Sequence, residues 1–501
     1  MPQTLKLEDE ADFVIVGTGA GGATAARVLS EAGFSLAMIE EGAYLRPEDR
    51  PRELVDAMAL AVRGMATLAT DSLQPMPLLQ GKAVGGSTAI NSGIIWRLPE
   101  DVRRTWVSEF GLGAIASQSA LDRAFDRIED ELMIGPTDAS VAGENNLLMQ
   151  RAAEKLGLPG HVIVRNSRGC KGSQRCLQGC PNGARQSMDV SYVPRAIDKG
   201  ARLHTRCHVE RVVFEGARAV GVTGTVNDAE GRKAGTFSVR ARRGVIVAAS
   251  AIWTPLLLAA SGIRHPLLGE RFSAHPGAAV VGRFAEPVHM GFGASQGYEV
   301  PMRDRGFKLE ALALPPDMLA ARLPGAGRVW QERLAALGHY AQWGGNVRME
   351  AMGRVKRSWL DGVSVRYEPT PNDLAKIREV LVLTGRMMFA AGATEVYPGV
   401  AGFPEVVRSE QEMRALERAP LSRSQVHLVA SHLFGTACAS SDPKRGVVGA
   451  DLAVHGREGL YVMDASVFPT NLGVNPQHSI MGLVWVASEQ LAERAAASKA
   501  A

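Results

Sequence analysis

The chain has 501 residues, 46% hydrophobic and 22% charged, a length and balance that suit a folded two-lobed enzyme rather than one simple core or a disordered polymer. Its net charge of +4 is small for this size, and the densest short basic run, RVKR at 354–357, reads as a solvated strand or turn, so nucleic-acid binding is not supported. No stretch reaches the roughly 18 consecutive apolar residues of a membrane span.

The opening residues, MPQTLKLEDEADFVIVG, show no charged-then-apolar leader, so a cytoplasmic enzyme is the expectation. DFVIVG reads as a strand ending at Gly17, GGATAARVLSEAG as a small-residue helix closing at Gly33, and SLAMIEEG as a second strand. Strand, glycine turn, helix and strand form the unit that grips a dinucleotide. Gly17, Gly19 and Gly22 fall in the GxGxxG spacing: one for the turn, one for backbone approach to a pyrophosphate, one for close helix–strand packing. Glu40 ends the second strand, where a carboxylate can accept from ribose hydroxyls.

Residues 53–70, ELVDAMALAVRGMATLAT, are apolar on more than one helical face and suit burial or a lid over an apolar pocket; surface contact with a membrane or partner is the lesser alternative, and nothing else in the sequence supports a membrane. A second glycine-rich stretch follows, GKAVGGSTAIN at 81–91, which suggests a ligand with another part to hold. In SALDRAFDRIEDELM, 119–133, Leu121, Phe125, Ile128 and Leu132 stand at helical spacing and read as core.

The chain has five cysteines, an odd number that argues against a disulfide framework. Three of them, Cys170, Cys176 and Cys180, crowd into CKGSQRCLQGC, a spacing that fits neither a zinc knuckle nor a common iron–sulfur pattern, and no metal is expected. From 201 to 249 the pattern turns to short strands, read as a three-stranded excursion returning to the buried run GVIVAAS. Residues 270–425 carry amphipathic segments punctuated by Pro and Gly, with no second GxGxxG, and read as a substrate lobe. Near the C-terminus a strand at 459–463, an acid at Asp464, a Pro-containing loop and a helix from about Asn475 complete the chain; if that strand joins the first sheet, both ends of the chain build one domain.

Six stretches in order resemble the glucose-methanol-choline (GMC) oxidoreductases: GTGAGG with IEEG, GKAVGGSTAIN, SAIWTPLLLAASGI, GERFSAHP, SHLFGT and LYVMDASVFPTNLGVNPQHSI. Ile95 and Arg264 depart from the usual family signatures without touching a chemical group. CKGSQRCLQGCPNGARQSMDVSYVPRA resembles the branch containing long-chain (fatty) alcohol oxidases and related dehydrogenases.

The resemblance implies an α/β fold: a Rossmann-like FAD-binding domain with a mixed α+β substrate domain built on an antiparallel sheet. The FAD-binding domain is expected to be discontinuous, from 1–52, 81–98, 186–270 and 426–501, with 53–80, 99–185 and 271–425 forming the substrate-binding domain. It further implies FAD held by Gly17, Gly19, Gly22, Glu40, Gly85, Gly86, Ser87, Asn91, Val209, Asp464, Ala465 and Pro476. Some members attach FAD covalently through a His at the place held here by Ile90, so non-covalent FAD is expected.

Oxidising an alcohol takes a proton from oxygen and a hydride from carbon, the latter passing to flavin N5. By resemblance His432 in SHLFGT is the base and Asn475 in VNPQHSI the donor that meets the developing alkoxide. His275 reads as structural, and His427 and His478 as neighbours in sequence only. The expected activity is oxidation of a hydrophobic primary or secondary alcohol to aldehyde or ketone, the electrons passing to oxygen or a quinone-type acceptor. A lyase or flavin photoenzyme on the same scaffold, and a non-catalytic electron-transfer flavoprotein, are the alternatives.

Overall fold

The acidic opening of the chain is itself strand. Leu5–Val16 runs parallel to Leu36–Ile39 on one side and to Lys233–Val247 on the other. Only its apolar second half reads as strand in the sequence; the first half is paired along residues 235–240, and its acids meet arginines from distant strands, Asp9 with Arg202 and Glu10 with Arg242. The structure, a computed structural model, describes residues 5–72, 74–359 and 362–500, the side chains of 498–500 excepted.

The first sheet runs in the order Arg202–His204, Leu36–Ile39, Leu5–Val16, Lys233–Val247, Arg218–Asn227, Cys207–Glu215. Lys233–Val247 is a fork. Its first half pairs antiparallel with Arg218–Asn227, and its second half takes Leu460–Val462 as a parallel neighbour. The last strand of the three-stranded excursion and the buried run GVIVAAS to which it returns are therefore one continuous strand, Lys233–Val247. Gly244 lies at the junction because a Cβ there would stand 2.8 Å from the Gly459 carbonyl oxygen. The Leu460–Val462 pairing brings the C-terminal segment into the sheet begun by the N-terminus.

Helix Ala20–Glu31 and the terminal helix Gln477–Ala500 cover this sheet, and Gln118–Glu131 packs beyond, burying Leu121, Phe125 and Ile128 with Leu132 just past its end. Contact is close at Gly482, where a Cβ would meet the Phe125 ring at 2.3 Å.

The second sheet is organised on Glu270–Arg283, which pairs antiparallel with Tyr340–Val347, Gly353–Lys356, Glu395–Tyr397 and Val429–Phe434. Phe307–Ala311 and Tyr298–Met302 extend it beyond Tyr340–Val347. Its apolar face carries a second core that includes Trp343, Phe272 and Tyr367, under the long helix Pro371–Ala390. Among the described residues no helix is long and apolar enough to cross a membrane.

Candidate active site

Strand Leu5–Val16 ends where Gly17 turns the chain with φ +94°, and a Cβ there would stand 2.3 Å from the Ala248 carbonyl oxygen. Gly22 faces the Gly17 carbonyl so closely that a Cβ would come within 2.0 Å of it, which lets helix Ala20–Glu31 lie against the strand. Sequence reasoning missed Gly21, whose Cβ would meet the Met463 carbonyl oxygen at 1.8 Å; the GAGG run gave the signal.

The two glycine loops touch. Gly86 has φ +53°, and a Cβ on it would stand 2.9 Å from the Gly19 Cα. Thr18, also missed, joins them: its hydroxyl donates to Glu40 at 2.7 Å and accepts from the Gly85 amide at 3.1 Å. Glu40 takes further bonds from the Thr18 and Gly42 amides, while burial pushes its carboxyl pKa up. Gly85 is left-handed and packed on Asp189.

Several of the anticipated cofactor side chains are turned toward the protein. Ser87 Oγ accepts from the Gly81 amide at 3.0 Å, and Asn91 donates to Gln477 Oε1 at 2.6 Å while accepting from the Gly93 amide. The Asp464 carboxylate accepts from the Ser250 amide, the Thr254 hydroxyl and the Ser466 amide, fastening helix Ser250–Ala260 to the end of Leu460–Val462. Its pKa is pushed up by burial against those three bonds.

One cavity of about 1320 Å³ runs from these loops to the second sheet. Gly17, Gly19, Glu40, Gly86, Ser87, Asn91, Val209, Asp464, Ala465, Pro476, His432 and Asn475 all border it; of the anticipated set, Gly22 and Gly85 stand behind the wall, where they set its backbone. Ligand pockets commonly occupy about 300–1,000 Å³, so this space admits a dinucleotide together with a second molecule. Leu54, Met58 and Val62, from the 53–70 segment, line it while Val55 and Leu60 face outward, which is the arrangement of a lid.

At the sheet end, His432 lies on Val429–Phe434 and Asn475 just before the terminal helix; Asn475 Nδ2 and His432 Nε2 are 3.4 Å apart. Burial pushes the His432 imidazole pKa down to about 4, with Glu310 opposing and Lys308 reinforcing the fall, so the ring is neutral near pH 7. His275 lies on strand Glu270–Arg283, and its Nδ1 is 3.4 Å from His432 Nδ1 with the rings perpendicular. It accepts the Gly473 amide at Nε2, and burial, then His432, hold its pKa well below the ordinary value.

Behind Asn475 is a cluster that the sequence reading missed. Lys308, fully buried, donates to Asn475 Oδ1 and to Glu299 at 2.5 Å, and pairs with Glu310 at 2.6 Å. Burial alone would lower its pKa, but the two carboxylates reverse that and keep it a cation. The signal was present in FKLEA, where a Lys and a Glu alternate on one face of an otherwise apolar strand.

His478 is buried against Glu129 at 3.0 Å on the far side of the terminal helix, whereas His427 borders the cavity. Cys170, Cys176 and Cys180 are free thiols. Cys176 is buried beside Arg165, whose guanidinium donates to it at 3.3 Å; burial raises its pKa, but Arg165 and Arg185 together hold it below the ordinary thiol value. These arginines also donate to the carbonyls of Ala89, Asn91 and Ser92, bracing the second glycine loop.

The GMC oxidoreductase N-terminal model matches residues 11–277 and the C-terminal model residues 352–483. The chain belongs to the GMC oxidoreductase family. It is similar to a GMC-type oxidoreductase of Mycobacterium tuberculosis, with 37% identity over 96% of this chain and 75% of the relative. It is also similar to a long-chain-alcohol oxidase of Arabidopsis thaliana, with 26% identity over 97% of this chain and 67% of the relative. The crystal structure of pyridoxine 4-oxidase from Mesorbium loti shares the fold, with a TM-score of 0.73 at 18% identity over 96% of this chain and 99% of that one. In this GMC oxidoreductase the residues fit a dinucleotide flavin: a Cβ-free floor at Gly17, Gly19 and Gly86, the Glu40 carboxylate at the strand end, and one continuous cavity reaching His432.

Proposed function

We propose that the protein oxidises a hydrophobic primary or secondary alcohol to the aldehyde or ketone with non-covalent FAD, His432 acting as the base and Asn475 as the donor to the substrate oxygen. The observation that carries this reading is the pairing of a neutral His432 with the Asn475 amide, 3.4 Å apart, in the wall of the same cavity that the glycine loops border. Gly17, Gly19, Gly22, Glu40, Gly85, Gly86, Val209, Ala465 and Pro476 would shape or border the FAD site, with Ser87, Asn91 and Asp464 holding its walls in place. When bound, FAD supplies the ring that accepts the hydride.

The protein's part is then proton transfer and orientation. A neutral imidazole in the cavity wall, its Nε2 beside Asn475, can take the hydroxyl proton, and the Asn475 N–H, its own oxygen engaged by Lys308, donates to the oxygen as charge builds there. The apolar lining from Leu54, Met58, Val62, Leu312 and Met318 favours a hydrocarbon substrate and excludes water. Two sheets with the cavity between them support a two-lobed reading, although Val429–Phe434, which the expected bounds place in the FAD-binding domain, pairs in the second sheet.

The test is anaerobic mixing of the purified protein with an alcohol panel, followed by admission of air. Bleaching of the flavin band by an alcohol supports the reading, and reoxidation by air separates oxygen from a quinone-type acceptor. A flavin that no alcohol reduces overturns it. Acid precipitation should release all the FAD, because Ile90 offers no attachment point.

A further inference from the structure

The three clustered thiols take no part in the proposed chemistry, yet they are set among charges. Cys170, Cys176 and Cys180 border one small cavity of about 10 Å³, room for a single water-sized molecule. Lys171 and Asn182 on its rim are exposed, Cys170 and Cys180 are half-buried, and Cys176 lies buried at its floor.

Two arginines meet Cys176. The Arg165 guanidinium donates to its sulfur at 3.3 Å and Arg185 donates to its carbonyl at 2.7 Å, and both arginines are almost wholly buried. Asp189, the carboxylate that acts on Arg185, is itself paired with Arg50. A buried cation needs an anion, and a thiol beside two guanidiniums supplies one by ionising. The thiolate is the nucleophilic form of cysteine, so the charges that surround Cys176 also make it reactive.

A second thiol stands next to it. The Gly179 amide bonds to the Cys176 carbonyl at 3.2 Å, closing a turn whose ends lie within about 7 Å of each other, and Cys180 is the next residue. Disulfides bridge Cα atoms about 4.4–6.8 Å apart, so the turn holds the pair near bonding range. The same stretch, CLQGC, touches the groups that would hold the dinucleotide. Leu177 borders the large cavity, Gln178 donates to the Arg52 carbonyl at 2.7 Å beside the lid, and Arg165 and Arg185 hold the carbonyls of Ala89, Asn91 and Ser92.

We propose that Cys176 is a peroxide-reactive thiol that forms a reversible disulfide with Cys180, and that this oxidation loosens the second glycine loop and with it the grip on FAD. The thiolate sulfur attacks one oxygen of hydrogen peroxide and the O–O bond breaks; the sulfur becomes a sulfenic acid, and the leaving hydroxide takes up a proton to become water. Cys180 then attacks that sulfur, and its proton leaves with the displaced hydroxide as a second water, so two thiols and one peroxide give one disulfide and two waters. The disulfide is neutral, which leaves Arg165 and Arg185 buried without the anion beside them. The bracing of residues 89–92 is what yields.

The experiment adds hydrogen peroxide to the FAD-loaded, fully reduced enzyme at pH 6.5, where an ordinary thiol is about 1% ionised. The remaining thiols are then alkylated and the modified residues located by peptide mass spectrometry. Cys176 should be lost about tenfold or more faster than Cys170, as a thiolate outpaces a thiol, and should appear bridged to Cys180 in a form that dithiothreitol reverses. Cys170 is the more exposed of the two, so faster loss there would mean that exposure and not the guanidiniums sets the reactivity, and overturns the site. A bridge from Cys176 to Cys170 overturns the choice of Cys180 as partner. In Cys180→Ser the reaction should stop at a Cys176 sulfenic acid that dimedone labels.

The second arm reads the flavin through the fluorescence of free FAD after dilution. Oxidised wild type should release FAD about tenfold or more faster than reduced wild type, the scale of one charge-assisted hydrogen bond lost from the loop, and dithiothreitol should restore the slow rate. Cys180→Ser should keep its flavin through the same treatment. A disulfide that forms without changing the release rate overturns the coupling to the glycine loop, and release from peroxide-treated Cys180→Ser as fast as from oxidised wild type overturns the disulfide as its cause. Because the peroxide is added and no alcohol is present, neither arm depends on the alcohol-oxidation reading.

Discussion

Lys308 donates to Asn475 Oδ1 from a fully buried position, and that single bond decides which end of the Asn475 amide faces His432. With the oxygen engaged by an ammonium, the Nδ2 group is left to point at His432 Nε2. Replacing Lys308 by Met should free the amide to flip and also strand two buried carboxylates, Glu299 and Glu310, a loss on the order of 3–5 kcal/mol of stability. A Lys308→Met, Glu299→Gln double variant lessens the charge imbalance and separates folding from positioning. It should melt closer to wild type yet reduce its flavin more slowly, by about tenfold or more. A double variant with wild-type reduction kinetics would show that Lys308 only fills space.

Removing His432 tests the proposed chemistry directly. His432→Ala should still bind FAD, because the glycine loops and the residues bracing them are untouched, while flavin reduction slows by about 10² to 10⁴-fold, the usual worth of a general base. Asn475→Ala should lose roughly 2–4 kcal/mol of transition-state stabilisation, as for one oxyanion donor. On the proposal both groups act on one oxygen, so the double variant should lose less than the sum. Rapid mixing of each variant with alcohol measures this.

How much of this was legible in the sequence follows the range of the contacts. Gly17, Gly19, Gly22 and Glu40 lie in one local unit whose spacing reflects its geometry, and His432 and Asn475 lie in stretches that resemble family motifs. Lys308 and Asn475 meet only because a strand of the second sheet faces the start of the terminal helix, and no spacing along the chain encodes that. Thr18 was hidden for a different reason. It is the unremarkable residue between two glycines, and its role appears only when the Gly85 loop folds onto it. In the fold, the acidic Leu5–Glu10 stretch did not read as strand because its charges are neutralised by arginines more than a hundred residues away.

The meeting of the loops gives another expectation. Gly86→Ala places a Cβ 2.9 Å from the Gly19 Cα at a φ of +53°, so backbone must move on both loops. A residue forced into that region costs about 1–2 kcal/mol before the clash is counted. The variant should fold with reduced stability and lose FAD, read as a fall in the ratio of flavin to protein absorbance. Gly33→Ala is the control: it has positive φ, but its Cβ would meet nothing within 4 Å, so it should lose some stability while keeping full flavin content.

The last expectation concerns pH, where catalysis and stability part. The groups acting on His432 are burial, Glu310 and Lys308, with His275 in contact, and its pKa is pushed down to about 4. A base works in its neutral form, so lowering its pKa extends activity toward acid: flavin reduction should stay level from pH 8 to about 5, where an unperturbed imidazole would already be largely protonated. Stability should behave oppositely. His275, His432 and His478 are all held below the ordinary value of 6.5 in the folded chain. Between that value and the folded pKa the unfolded chain binds protons that the native protein does not, so stability falls as pH falls. His432 alone contributes on the order of 3 kcal/mol when the window is fully crossed. Melting curves at pH 7.5, 6 and 5 should therefore show a declining Tm while the rate of flavin reduction holds. A rate that instead drops with a midpoint near 6.5 would mean that His432 is solvated as an ordinary imidazole and that the buried base is not what the cavity provides.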